Sequence, residues 1–196
     1  MVLALIEILM LSLCSTISGK TVYSNGVYIV AYDLLRYMVE IQNFSDAEKA
    51  AKSILTEANN VPRLALRNYR NLLGLYERTG RSIKAYEAAK NEYDVFIKSD
   101  LPKDNNYANA HIDVGSTLVS SFRAAEALQH LDTAVSMATD VGNPETYTVY
   151  NIDRFLRNRA RAKQLLGRLD DSLADLDQAE QYQIKIHGPK SHYEGK

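Results

Sequence analysis

The chain has 196 residues, with 23 basic and 24 acidic side chains and a formal net charge of −1 at pH 7. This length is enough to bury a sizeable core, and the balanced charge excludes a global field that would attract nucleic acid or acidic lipid. With 13 Tyr, no Trp, 9 Gly and 4 Pro, the composition favours helices over a sandwich with many turns. Because Cys14 is the single cysteine, the sequence supports neither an intramolecular disulfide nor a thiolate metal cluster.

The first predicted element is an apolar helix near the N-terminus. Residues Val2 to Cys14 are apolar except for Glu7 and Ser12. No basic residue precedes Lys20, so the basic region of a signal peptide is missing, and the run is shorter than the roughly 20 residues that span a bilayer. We therefore predict that residues 1–27 form an apolar helix and a turn that cap a repeat domain, in an intracellular (cytoplasmic or nuclear) protein. A secretory signal peptide is the alternative.

A pattern with a period of about 40 residues organises the rest of the chain, and such self-similarity is typical of a helical solenoid. The repeated prolines are Pro62, Pro102, Pro144 and Pro189. A small residue precedes each proline at a nearly constant distance, namely Ala47, Ala85, Ala127 and Ser172. We predict that each unit contains helix A, a short turn, helix B and a loop with the proline. The predicted repeat domain covers 28–190, with units at about 28–64, 65–104, 107–146 and 150–190 and a C-terminal tail at 191–196.

Turn and cap residues support this division. Apolar residues at helical spacing in the second unit end at Gly80, which is typical of a glycine that closes helix A. In the first unit, Ser45 and Glu48 predict a capping box at the start of helix B.

Two stretches resemble tetratricopeptide (TPR) repeats. The first is Tyr69-x-x-Leu72-Leu73-x-x-Tyr76-x-x-x-Gly80 with Ala85, and the second is Gly167-Arg168-Leu169-Asp170-Asp171-Ser172-Leu173 with Leu176 and Ala179. The units are longer than the family's usual ~34 residues, as in its kinesin-light-chain-like variety, and the segment from Asn151 to Tyr193 is similar to TPR proteins of filamentous fungi. The resemblance implies an all-α, right-handed α-solenoid of about four TPR-like helix pairs plus an N-terminal capping helix. It also implies a protein or peptide as the partner.

No pattern in the sequence indicates an enzyme, a cofactor or a metal site. Gly19-Lys20-Thr21 lacks the earlier glycine of a phosphate-binding loop, because Cys14 stands at that position. His187 and His192 are close in sequence, but no cluster of Cys, Asp or Glu completes a metal site around them. We therefore predict no catalytic residues, no cofactor and no metal, and neither nucleic acid nor membrane as a partner.

The most specific functional signal is a set of arginines. Arg154, Arg157 and Arg161 share one helix face, and Arg67 and Arg70 fall on the matching face of the second unit. Guanidinium groups bind carboxylates through paired, charge-assisted hydrogen bonds, so the pattern predicts a groove for an acidic peptide, with Tyr32 and Ser116 among the uncharged positions that set the fit. The candidate groove comprises Arg67, Arg70, Asn109, Ile112, Arg154, Arg157 and Arg161.

Two alternatives remain open at this point. The arginines can instead pair with Asp153, Asp170 and Asp171, which would make the chain a structural or oligomerising module, or a part of a longer regulatory protein, with internal salt bridges. An RNA-associated helical repeat is a more remote reading, because base-stacking aromatics are missing from this helix. Helix B of the fourth unit is also expected to leave apolar surface uncovered, which predicts self-association through the solenoid ends.

Overall fold

A computed structural model describes residues 14–17, 20–23, 38–57, 61–139 and 152–187. The chain divides into two compact units, Met1–Ser99 and Asp100–Lys196. The described elements of the first unit are β1 (Cys14–Ile17), β2 (Lys20–Tyr23), α1 (Phe44–Glu57), α2 (Pro62–Arg78) and α3 (Ser82–Lys98). Those of the second unit are α4 (Asn105–Ser120), α5 (Ala124–Thr139), α6 (Ile152–Leu165) and α7 (Leu169–His187).

The segment before the repeats contains a short hairpin. β1 and β2 pair antiparallel, with Cys14 opposite Tyr23 and Ile17 opposite Lys20. The predicted helix and turn are therefore wrong for residues 14–17 and 20–23, where β-branched and aromatic residues favour strands. An apolar run alone does not distinguish a strand from a buried helix. The rest of the predicted capping helix, the groove position Tyr32 and the tail at 191–196 lie outside the described residues.

Four helix-to-helix turns share one backbone geometry. Each has one residue in the left-handed region: Gln42 (φ 61°), Gly80 (68°), Phe122 (58°) and Gly167 (73°). The next residue donates its N–H to a carbonyl in the preceding helix, in the pairs Asn43–Met38 (2.9 Å), Arg81–Tyr76 (2.8 Å), Arg123–Leu118 (2.9 Å) and Arg168–Lys163 (2.9 Å). This is the Schellman arrangement that satisfies the last carbonyls of a helix. Residues at the same distance from these turns are therefore structurally equivalent.

The helices pack as antiparallel A–B pairs, α2 with α3, α4 with α5 and α6 with α7. The small residues predicted from the repeat are buried near the start of each helix B, at Ala47, Ala85, Ala127 and Ser172. α4 and α5 approach so closely that a Cβ on Gly115 would lie 2.6 Å from the side chain of Leu131. The prediction of an all-α fold built from TPR-like helix pairs is confirmed. The exact unit boundaries stay predictions, although Pro62 lies in the first turn of α2 rather than in a loop before it.

The capping box predicted at Ser45 and Glu48 is wrong, because Ser45 already lies inside α1. α1 begins at Phe44, and Asn43 donates from Nδ2 to Asp46 Oδ2 over 3.1 Å. Glu48 instead pairs with Lys52 over 2.8 Å and accepts a hydrogen bond from the Tyr76 hydroxyl over 3.0 Å.

Glu48 also pairs with Arg81 in the turn before α3, so one carboxylate joins α1, α2 and this turn. Its hydrogen bonds, of which that from Lys52 contributes most, lower the pKa of Glu48 to about 2. Burial and the Glu48 hydrogen bond raise the pKa of Tyr76 to about 12. The interactions of the Glu48 carboxylate therefore stabilise the packing of these elements in the first unit.

Candidate functional site

The candidate residues of the second unit lie on α4 and α6, which contact each other. Arg154, Arg157 and Arg161 share the exposed face of α6, as their spacing predicted. The side chains of Arg154 and Arg157 are 50% and 58% exposed. We call this surface the arginine face; it consists of Asn109, Asp113 and Ser116 of α4 with Arg154, Arg157 and Arg161 of α6.

Buried carboxylates hold two of these arginines in place. Nη2 of Arg154 lies 2.7 Å from Oδ1 of Asp113, and this ion pair joins α6 to α4. Nη2 of Arg157 lies 3.4 Å from Oδ2 of Asp153 one turn earlier on α6. Each carboxylate is nearly inaccessible to solvent while its arginine stays half exposed. No ion pair joins Arg161 to another residue of the part of the chain that the structure describes.

The α4 side of this surface is polar. Asn109 lies one turn before Asp113 and is partly exposed. Its Oδ1 is buried, and no described residue donates a hydrogen bond to it. Ser116 lies on the same face, two turns after Asn109, and its hydroxyl bonds to the Asp113 carbonyl over 3.1 Å.

The proposal of Ile112 as a groove residue is wrong, because this side chain is 0% exposed and belongs to the core. Helix α4 is buried on nearly all sides, and only a narrow strip that includes Asn109 and Ser116 reaches the surface. Helical spacing alone could not predict the width of that strip, because it depends on the neighbouring helices.

Arg67 and Arg70 lie in the first unit, on α2. Arg70 pairs with Glu92, a fully buried residue of α3, and so anchors the α2–α3 pair. Arg67 is exposed on the same face of α2 as Asn71, whose buried Nδ2 has no acceptor among the described residues. The five arginines are thus divided between the two units, and a groove that includes all of them stays a prediction.

The sequence did not predict an ionic cluster inside the α6–α7 pair. Arg159 binds Asp175 of α7 through two hydrogen bonds, of 2.7 and 2.9 Å, and Nζ of Lys163 lies 2.7 Å from the same carboxylate. Burial alone would raise the pKa of Asp175, but the hydrogen bonds from Arg159 and Lys163 outweigh it and lower that pKa. Arg159 also lies 3.3 Å from Asp132 of α5. The one available signal was the occurrence of Arg159 and Lys163 at positions that are usually apolar in the repeat.

A histidine pair occupies the α4–α5 interface. The Nδ1 atoms of His111 and His130 lie 3.1 Å apart, so one neutral ring donates a hydrogen bond to the other. The ring of Tyr107 packs edge-on against His111 with a centroid distance of 4.7 Å. Burial, together with the charge of His130 and Lys103, lowers the pKa of His111 to about 4. No group of three His, Cys, Asp or Glu side chains in the described part of the chain could hold a metal ion.

Within the described residues, every helix is too short or too polar to cross a bilayer. No protein-family model and no curated protein matches the sequence. Solved structures do resemble the fold. The crystal structure of a single-residue variant of a kinesin-light-chain-like protein of Podospora anserina, with nearly identical TPR-like repeats, has a TM-score of 0.66 at 17% identity, and the match covers 94% of this chain and 88% of that one.

A second structure of this Podospora protein has a TM-score of 0.64 at 16% identity, with 95% of this chain and 89% of that one covered. BtubC (BKLC) from P. vanneervenii is a weaker match, with a TM-score of 0.42 at 17% identity over 83% of this chain and 81% of that chain. The two Podospora structures have TPR-like repeats, in agreement with the repeated helix pairs of this chain. The chain therefore has a TPR-like repeat fold.

Proposed function

We propose that this protein is an interaction scaffold that binds an extended, acidic peptide segment on the arginine face. The observation that carries the proposal is the way in which Asp113 and Asp153 hold Arg154 and Arg157. Each carboxylate fixes the position of its guanidinium group, which stays half exposed and presents further N–H donors to solvent. Such preorganisation lowers the entropic cost of binding a ligand carboxylate.

Arg161 adds a positive charge to this face because it has no ion-pair partner among the described residues. Acidic side chains of a peptide would contact Arg157 and Arg161, which lie one turn apart on α6. The partly exposed side-chain amide of Asn109 offers a hydrogen-bonding group for the backbone of the same peptide. In the first unit, Arg67 and Asn71 offer a smaller surface with similar chemistry.

A peptide library displayed on phage and selected against the full chain would test this function. We expect the selected peptides to be enriched in Asp and Glu and to bind less tightly as salt is added. The substitution Arg161→Glu should weaken a labelled selected peptide about tenfold, and Arg154→Glu/Arg157→Glu/Arg161→Glu should weaken it further. Fluorescence anisotropy gives the affinities, and circular dichroism shows whether each variant is folded.

The single variant Arg161→Glu is the decisive one, because it breaks no described ion pair. Its matched control is Lys185→Glu, the same charge change in the same unit at an exposed position of α7 that forms no ion pair with a described residue. The control should bind the selected peptides as the native chain does. Selected peptides without acidic enrichment, or equal affinity of the native chain and the Arg161→Glu variant, would contradict the proposal.

A second candidate function is that of a structural or oligomerising module. It is favoured by the observation that Arg70, Arg154 and Arg157 all take part in internal ion pairs. In that case Arg154→Ala would lower the free energy of unfolding, because it removes the ion pair that Arg154 forms with the buried Asp113, while Arg161→Glu would change neither binding nor stability.

A further inference from the structure

Helix α7 carries a stripe of exposed leucines that the proposed peptide-binding function does not use. Leu169, Leu173 and Leu176 follow one another at helical spacing on one face of α7. They are 58%, 58% and 43% exposed, which is unusual for three adjacent large apolar side chains. We call this surface the α7 leucine face.

The equivalent face of α5 shows what covers such a stripe. Counting from the turn residues Phe122 and Gly167, the positions that correspond to the three leucines are Ala124, Leu128 and Leu131. All three are buried; Leu128 is 9% and Leu131 is 0% exposed. Leu131 lies against Gly115 of α4, and α5 also packs against α6, whose buried side includes Ile152, Phe155 and Leu156. An amphipathic helix is therefore the kind of element that fits this face.

The charged residues around the leucines indicate which charge a helix that covers them should carry. Arg159 of α6 lies 3.3 Å from Asp132 of α5, and the residue of α7 that is equivalent to Asp132 is Asp177. Asp177 is exposed, and no described residue forms an ion pair with it. Asp170 and Glu180 also lie beside or within the stripe. A helix that covers the leucines should thus carry a basic residue where α6 carries Arg159.

We propose that the α7 leucine face binds a basic amphipathic helix of a partner protein, seated as α6 is seated on α5. A second copy of this chain that docked face to face would bring Asp170, Asp177 and Glu180 of both copies together, and like charges oppose that contact. A basic partner helix instead complements these carboxylates while its apolar side covers the leucines. The mode is that of an amphipathic helix that binds along an apolar surface.

The probe for this proposal is a fluorescently labelled synthetic peptide with the α6 sequence, residues 152–165, added to the full chain. This helix already packs against α5 in the same molecule. We expect Leu173→Asp/Leu176→Asp to weaken the peptide at least about tenfold, since both side chains are exposed and the variant should fold. The matched control is Ile83→Asp/Ile97→Asp, which removes two exposed isoleucines of α3 and should leave the affinity unchanged.

Reversing the charge of Asp177 tests whether the peptide binds α7 in the position that α6 has on α5. Asp177→Lys should weaken the native peptide several-fold, and a peptide with Arg159→Glu should bind this variant better than it binds the native chain. Two results would overturn the proposal. One is equal binding to the native chain and to the leucine variant, which would mean that the peptide replaces the chain's own α6. The other is no measurable binding to either protein. Sedimentation equilibrium of the chain alone should give a monomer. A dimer that Leu173→Asp/Leu176→Asp dissociates would assign the face to a second copy and overturn the partner helix.

Discussion

The two helix pairs of the second unit have the same architecture but different interiors. In the α4–α5 pair, Val114 and Leu118 are buried apolar residues, and His130 contacts His111. At the equivalent positions the α6–α7 pair has Arg159, Lys163 and Asp175, which bind one another. One helix-pair geometry therefore tolerates either an apolar interior with neutral histidines or a compensated ionic cluster, provided that every buried charge has a partner.

The largest expected effect comes from breaking the ionic interior. Asp175→Ala leaves Lys163 without its ion-pair partner and Arg159 with only the exposed Asp132, in a poorly hydrated interface, so the free energy of unfolding should fall by about 3–5 kcal/mol. Chemical denaturation followed by circular dichroism measures this loss. The control Asp170→Ala, on the exposed side of α7, should change it by less than about 0.5 kcal/mol.

Exchanging one interior for the other sharpens this test. The quadruple variant Leu156→His/Arg159→Val/Lys163→Leu/Asp175→His gives the α6–α7 pair the interior residues of the α4–α5 pair, including the histidine pair. Replacing a buried ionic cluster by apolar residues is often neutral or stabilising, so we expect this variant to be at least as stable as the native chain. A loss as large as that of Asp175→Ala would mean that the two pairs do not share one interior geometry.

The two interiors should also respond differently to acid. The pKa of His111 is lowered from 6.5 to about 4, mainly by burial, and that of His130 is lowered as well. The unfolded chain therefore binds more protons than the folded chain as the pH falls from 6.5 towards 4, and His111 alone costs up to about 3 kcal/mol of stability over this range. The Asp175 cluster contributes fully above the ordinary carboxyl pKa of 3.8 and weakens only as the pH falls below it.

Thermal unfolding between pH 7 and pH 4 checks this difference. Stability should decrease through this range in the native chain, and the decrease should be smaller in a His111→Leu/His130→Leu variant. A native stability that is constant between pH 7 and pH 4.5 would contradict the assignment of neutral buried imidazoles.

The smallest expected effect concerns the turns that close the two A helices. The left-handed residue is Phe122 in one pair and Gly167 in the other. Because a side chain disfavours this conformation, Phe122→Gly should raise the free energy of unfolding by up to about 1 kcal/mol, and Gly167→Ala should lower it by about 1 kcal/mol. Differential scanning calorimetry of the two variants measures both changes. Shifts of the same sign would contradict the equivalence of the turns.

Much of the fold could be predicted from short-range features of the sequence. The four small residues that the repeat predicted are buried, namely Ala47, Ala85, Ala127 and Ser172. Gly80 and Gly167 close helices, because glycine adopts positive φ at little cost. The same turn at Gln42 and Phe122 has no glycine, so no residue type marked its left-handed position. The strand pair at residues 14–17 and 20–23 was missed because the apolar run before it does not by itself distinguish a strand from a buried helix.

The candidate site was predicted less completely. The shared face of Arg154, Arg157 and Arg161 follows from helical spacing, which is a local property. That Asp113 holds Arg154, that Glu92 holds Arg70 and that Ile112 is buried depend on residues from other helices. Such contacts cannot be derived from spacing within one helix.

The sequence by itself determined the repeating helix pairs, their turns and the faces on which the arginines lie, because these depend on backbone preferences and on a period of 3.6 residues. Only the tertiary structure decided which charges are compensated inside the pairs and which stay available at the surface. It also showed that Leu173 and Leu176 remain exposed where their α5 equivalents are covered. The physical reason is that the free energy of a charge or an apolar side chain depends on the helix packed against it, and packing joins residues that are distant in the sequence.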